Sequence, residues 1–235
     1  MRTSRGYLRR FCAGVALSGA LLCSNCAAGA PVDGYTVVAK YPHSTASYTE
    51  GFFYLDGLFY EGTGMVGRSA VMAIDSVTGK VRQRHDLAAP YFGEGIVDWG
   101  PNVYEWTWQS HVCFVYDRFS MRLIKQFSYT GEGWGMTRTA KELITSDGTS
   151  TLRFRDPNTF AETRNIVVKD DGKAIEQLNE LEYIHGEIYA NVWHMDRIAL
   201  ISPKDSGARS WRGLALPVAG SIANTAERPS IPVPS

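Results

Sequence analysis

Cysteine is almost confined to one end of this chain. Cys12, Cys23 and Cys26 precede residue 30, and Cys113 stands alone after it. A single thiol excludes an internal disulfide from that part of the protein. Cys113 lies in the apolar run Val112-Cys113-Phe114-Val115 and reads as a buried structural thiol, not a nucleophile. Helical periodicity is also missing: past the first thirty residues no segment keeps a 3.6-residue apolar spacing over about twelve positions. Net charge is lacking too. The first thirty residues hold four arginines and no acid, which leaves 20 basic against 24 acidic residues in the remainder. Such a surface has no general attraction for nucleic acid or an anionic membrane. His43, His85, His111, His185 and His194 show no ligand-set spacing, and no phosphate loop, Gly-x-Ser-x-Gly or dinucleotide fingerprint occurs. No metal and no cofactor is expected. Ser146-Asp147-Gly148-Thr149 reads as a turn between strands.

One apolar run stands out, Phe11 to Leu22, behind Arg2, Arg5, Arg9 and Arg10. It is too short to span a bilayer comfortably and is followed by small residues at 27–30, the pattern of a secretory signal. Residues 1–30 are therefore expected to be a signal peptide. The mature protein is expected to be exported, periplasmic or secreted, with no stable membrane span.

What the chain does have is aromatics, at 12 %, with 23 glycines and 10 prolines, a composition that leans all-β. It also repeats. Units begin at Thr49-Glu50-Gly51, Gly93-Glu94-Gly95, Gly133-Trp134-Gly135 and Asn179-Glu180-Leu181. Glu50, Glu94, Trp134 and Glu180 are thus 44, 40 and 46 residues apart. Each unit continues with short apolar strands, several closed by Asp, as at Asp75, Asp117 and Asp156. Four short strands in roughly 44 residues is the period of a β-propeller blade. The propeller is expected over residues 35–216, with 217–235, rich in Ser, Ala and Pro, as a disordered tail. Tyr35 to Tyr41 is a candidate extra strand for a closing blade.

A propeller sets the first strand of every blade along a central channel, so Glu50, Glu94, Trp134 and Glu180 should share a ring. Gly64, Trp108, Asp147 and Trp193, thirteen or fourteen residues later, should face the same mouth. Glu94 sits between two glycines after Phe92. A carboxylate among apolar rings loses solvation, which favours its neutral form and lets it take and return a proton near neutrality. An acid that only caps a turn would fit the same residues.

These segments, in order, resemble the propeller-type glutamine cyclotransferases. The resemblance rests on Tyr48-Thr49-Glu50-Gly51, Phe59 to Gly64, Tyr91-Phe92-Gly93-Glu94-Gly95, Thr107-Trp108, Gly131 to Gly135, Ser146-Asp147-Gly148, Asn179 to Tyr183 and Tyr189 to Trp193. It implies a five-bladed propeller, its last blade incomplete here, that acts on peptides or proteins with an N-terminal glutamine. It implies Glu94 as the catalytic acid, with Tyr48, Glu50, Phe92, Trp108, Trp134, Asn179 and Trp193 around the substrate. The family has Gln at the place of Glu50 and Phe at that of Tyr48. It also has a lysine segment in its last blade, whereas no lysine follows Ser206.

Overall fold

The computed structural model describes residues 29–204 and the backbone of 208–213. Residues 1–28 of the expected signal peptide and the expected disordered tail lie outside these residues. The described residues are all-β and form four blades. The first comprises β2 (Thr49–Leu55), β3 (Leu58–Thr63), β4 (Ala70–Asp75) and β5 (Val81–Asp86). The second comprises β6 (Gly93–Trp99), β7 (Asn102–Thr107), β8 (Val112–Asp117) and β9 (Leu123–Ser128). The third comprises β10 (Met136–Arg138), β11 (Leu143–Thr145), β12 (Thr151–Arg155) and β13 (Glu162–Val167), followed by a small hairpin of β14 (Lys169–Asp170) and β15 (Lys173–Ala174). The fourth comprises β16 (Leu178–Ile184), β17 (Glu187–Val192), β18 (Arg197–Ile201) and β19 (Ala208–Gly213). Strand β1 (Val32–Asp33) joins the outer edge of the fourth blade in parallel, Val32 opposite Trp211. The added strand therefore lies just before Tyr35–Tyr41, which forms none.

The strand order within a blade follows from burial. Blades stack face to face, so their middle strands are covered on both sides and read as continuous apolar runs, as in Ala70–Ile74 and Cys113–Tyr116. The outermost strands meet water and are polar, as in Arg82-Gln83-Arg84-His85, which discourages pairing with another edge. Asp56-Gly57 and His185-Gly186 turn their hairpins with both residues at positive φ, the geometry of the tightest β-hairpin loops. In the first three blades the Asp that closes the third strand makes the next turn. Asp75 accepts the Thr78 amide, Asp117 the Ser120 amide and Asp156 those of Asn158 and Thr159, at 2.8–2.9 Å.

Three aromatic and aliphatic cores fill the seams between successive blades. Cys113 is fully buried in the seam of the second and third blades, where burial pushes its thiol well above its ordinary pKa, in keeping with a structural role.

Along the channel the inner strands touch backbone to backbone, and glycine makes this possible. A Cβ on Gly51 would lie 2.5 Å from the Ile96 nitrogen, one on Gly95 2.6 Å from the Met136 nitrogen, and one on Gly135 2.1 Å from the Asn179 carbonyl oxygen. The repeated Gly after Glu50, Glu94 and Trp134 is thus the contact point between blades. The fourth strand meets the first differently: Glu180 reaches out with its side chain and accepts the Phe52 amide at 3.1 Å.

Candidate active site at the channel mouth

These contacts correct the register of the repeat. Glu180 abuts Gly135 as Gly95 abuts Gly51, so it occupies the glycine position. Asn179, not Glu180, is the equivalent of Glu50, Glu94 and Trp134. The strand ladders agree. Pairing slips by one residue between Thr49 and Gly51, between Gly93 and Ile96, and between Leu178 and Leu181. Glu50, Glu94 and Asn179 each sit in such a bulge, a device that re-aims a side chain at a strand end. With Asn179 as the reference, the later ring reads Gly64, Trp108, Gly148 and Trp193 at a constant spacing of fourteen, and Gly148 replaces Asp147. The uneven thirteen and fourteen of the sequence reading was the signal of this shift. Asp147 instead folds the turn, accepting the Thr149 amide and hydroxyl at 3.2 and 2.6 Å and pairing with Arg153.

The predicted aromatics converge. Phe92, Trp108 and Trp134 form one buried cluster, with Tyr48, Met65 and Trp193 packed against it. Tyr48 meets Phe92 edge-on at 6.3 Å, Phe92 meets Trp108 at 5.8 Å, and Trp134 meets Trp193 at 5.6 Å. The glycines of the later ring make room for these walls. A Cβ at Gly64 would strike the Phe92 ring at 2.4 Å, and one at Gly148 the Trp134 ring at 2.5 Å. His194 is exposed beside Trp193, in keeping with a surface role.

The polar residues at the equivalent bulges are buried as well. Glu94 is fully buried and Glu50 nearly so. The residue after Glu94 is pinned, since the Gly95 amide donates to the Trp134 carbonyl at 2.7 Å, which also receives the Trp106 indole at 3.0 Å. Asn179 is held through its backbone: the Ser146 hydroxyl donates to the Asn179 carbonyl at 2.6 Å and receives the Gly135 amide at 2.8 Å. The side-chain oxygen of Asn179 is buried and accepts no hydrogen bond among the described residues. A buried acceptor without a protein partner suits a polar substrate group.

Further along the channel lie two more acids. Burial raises Glu180 well above the usual carboxylate range, with Glu182 and Glu50 adding repulsion. Glu182 is raised to about 7, first by burial and then by Asp98. Among the described residues no cluster of His, Cys, Asp and Glu could hold a metal ion, and no helix is long and apolar enough to cross a membrane.

Two residues near the mouth were missed from sequence. Glu132 accepts hydrogen bonds from the indoles of both Trp108 and Trp134. Glu105 is fully buried on β7, with its carboxylate against Gly93. Glu132 stands two residues before Trp134, as Tyr48 and Phe92 stand before Glu50 and Glu94. That spacing could have found it.

Comparison with known proteins gives this geometry a context. The family model for glutamine cyclotransferase matches residues 12–220. Glutaminyl-peptide cyclotransferase of Arabidopsis thaliana is 40 % identical over 177 residues, 74 % of this chain and 55 % of that protein. The chain thus spans about half the length of this curated relative. The crystal structure of Myxococcus xanthus glutaminyl cyclase superposes with a TM-score of 0.73 at 28 % identity, covering 78 % of each chain. Kuenenia stuttgartiensis hydrazine synthase, at 12 % identity and a TM-score of 0.51 over 76 % of this chain and 53 % of its own, shares the fold alone. The chain belongs to the glutamine cyclotransferase family.

Proposed function

We propose that this chain cyclises the N-terminal glutamine of peptides or proteins to pyroglutamate and releases ammonia. The observation that carries the reading is the mouth itself: a fully buried Glu94 in a bulge two residues after Phe92, the cluster of Phe92, Trp108 and Trp134 with Trp193 against it, and the open acceptor of Asn179 at the equivalent bulge. In the reaction the neutral α-amine attacks the γ-carboxamide carbon, the C–N bond of the lactam forms, and the original amide nitrogen leaves as ammonia. Glu94 takes the proton that the amine sheds and delivers it to the departing nitrogen. Asn179 orients the amide, and Tyr48, Glu50 and the rings hold the glutamine folded for attack and keep water out. The test is ammonia release from a glutamine-initiated peptide, read beside the mass of the product. A chain that binds the peptide but leaves it unchanged would be a non-catalytic receptor for N-termini, the reading that Glu50 in place of the family's Gln favours.

The ring is read as five-bladed with its last blade incomplete, because the flank of the first blade away from the second meets coil, not sheet. A cleft of about 540 Å³ runs along that flank, lined in part by His43, Met72, Ile74 and Arg84. The mature protein is read as exported, on the strength of the arginine-flanked apolar run. N-terminal sequencing from the native host should find a start between Ala27 and Val32, and an intact Met1 overturns it.

A further inference from the structure

We infer that Glu132 is a positioning residue for the reaction, a clamp that fixes two walls of the substrate pocket from one carboxylate. The inference rests on the cyclotransferase reading. One oxygen, Oε2, accepts the Trp108 indole N–H at 2.7 Å and the Trp134 indole N–H at 2.9 Å. The other, Oε1, accepts the Gln109 amide at 2.8 Å. Trp108 belongs to the second blade and Trp134 to the third, so the carboxylate spans the seam between them.

An indole carries one donor and no acceptor. A tryptophan buried at a pocket wall needs a partner for that donor, and the partner decides how the ring is turned. Here two rings share one acceptor, so neither can swing without losing a charge-assisted bond. Glu132 is itself fixed from behind. The next residue, Gly133, donates its amide to the Trp108 carbonyl at 2.8 Å, and the residue before, Gly131, takes positive φ. The main chain that follows the clamp is therefore tied to a residue it holds.

The repeat supports the same conclusion. Tyr48 and Phe92, at the equivalent positions of the first and second blades, give aromatic walls to the mouth directly. In the third blade that position is an acid. It steadies two of the three indoles at the mouth instead. Gly148 beneath and Trp193 at its edge give Trp134 apolar contacts, which are less directional than the bond to Glu132.

The experiment compares Glu132→Ala and Glu132→Gln in the full chain by kcat and KM on a glutamine-initiated peptide, by tryptophan emission, and by melting temperature. Glu132→Ala should lower kcat/KM by roughly ten- to hundred-fold, since misplaced positioning groups have effects of that size. Its emission should shift to the red as Trp108 and Trp134 gain water. Glu132→Gln keeps a carbonyl acceptor of the same reach and should recover most of both effects. In a Trp108→Phe background, which removes one donor, Glu132→Ala should change emission much less than in the parent, the non-additivity expected of residues in contact. Unchanged emission in Glu132→Ala, or a Gln variant as impaired as the Ala variant, overturns the clamp. A parent chain with no cyclase activity refutes the cyclotransferase reading alone, because the emission and double-variant measurements still decide the clamp.

Discussion

The first blade has two flanks, and they are built on different terms. Toward the second blade, Gly51 lets backbone meet backbone at Ile96, and Phe53, Tyr60, Val71 and Ala73 pack on Ile96, Val103, Phe114 and Tyr116. Toward the fourth blade, the inner contact is a side chain, Glu180 on the Phe52 amide. The apolar residues Phe59, Met72 and Ile74 there form their own small cluster, and Tyr41 from the preceding coil lies edge-on to Phe59 at 5.2 Å. Buried acids at one repeat position show the contrast again. Glu61 faces the coil and receives His43, Ser47 and Thr49 at 2.9, 3.3 and 2.5 Å. Glu105, its equivalent in the second blade, faces the first blade, where the Tyr116 hydroxyl approaches it but neither oxygen reaches full hydrogen-bonding geometry. A sheet-on-sheet seam excludes the polar atoms that a coil supplies, so one residue type is satisfied on one flank and stranded on the other.

The largest expected effect separates the two channel carboxylates that mark these contacts. Glu94→Gln keeps the shape of the closed seam and removes the proton carrier, so turnover should fall roughly 10²-fold or more with little change in melting. Glu180→Gln keeps an acceptor for Phe52 and should leave turnover within a few-fold. Equal losses in both would show that the channel acts as one electrostatic unit and move the chemistry away from Glu94.

Next comes the seam itself. Gly51→Ala puts a methyl 2.5 Å from the Ile96 nitrogen and 2.8 Å from the Gly95 Cα, both backbone atoms without a rotamer to yield. We expect a loss of about 3 kcal/mol, and a melting temperature lower by on the order of 10 °C. A stable variant would mean that inner strands slide apart freely, and that the glycine contacts are not what sets their spacing.

The stranded acid gives a pH signature. Burial raises Glu105 to about 8, against a smaller opposing effect of the Tyr116 hydroxyl. The folded state then holds a proton that the unfolded chain releases near its ordinary pKa of about 4.5. Folding therefore binds protons between these values, and stability falls as pH rises from about 4.5 to about 8. In Glu105→Gln the decline of melting temperature over this range should be shallower, with the rest carried by Glu180 and Glu182. Glu61→Gln should behave oppositely, lowering stability near neutrality because it sets a donor against the donors of its cage. A parent-like slope in Glu105→Gln would assign the pH dependence to the channel acids alone.

Much of this was legible in sequence, for identifiable reasons. The blade period, the Asp-closed third strands and the aromatic ring were readable because each repeats with its neighbour. Glu94 and the aromatics stood at matching offsets, and the structure gathers the aromatics into one cluster. The fourth unit was misplaced by one residue because a bulge leaves no trace in composition: Asn179 and Glu180 are adjacent polar residues, told apart by the constant spacing of fourteen, the ladder slip and the Gly135 contact. The fourth strand of the last blade escaped notice because Ala208–Gly213 lacks the apolar alternation of the others. Glu105 was invisible because a lone acid in a strand reads as solvated until the facing blade is in place.

The smallest effect concerns what covers the far flank. Tyr41 is 58 % exposed yet lies against Phe59, and the carbonyl and ring of Pro42 approach Gly79, so residues 41–43 lie over the outer face of the first blade. If this coil is the cover that the flank uses, Tyr41→Ala removes an edge-to-face pair worth about 1 kcal/mol. The melting temperature should then drop by a few degrees, while turnover, governed at the mouth, should hold. If instead the flank is covered by another sheet in solution, the coil is displaced and Tyr41→Ala costs nothing. Light scattering on the parent then reads a dimer, because an uncovered apolar face drives association. A monodisperse monomer whose stability depends on Tyr41 would show that a coil can close a blade, and would set aside the incomplete five-bladed ring in favour of a four-bladed one with an edge sealed by its own N-terminal segment.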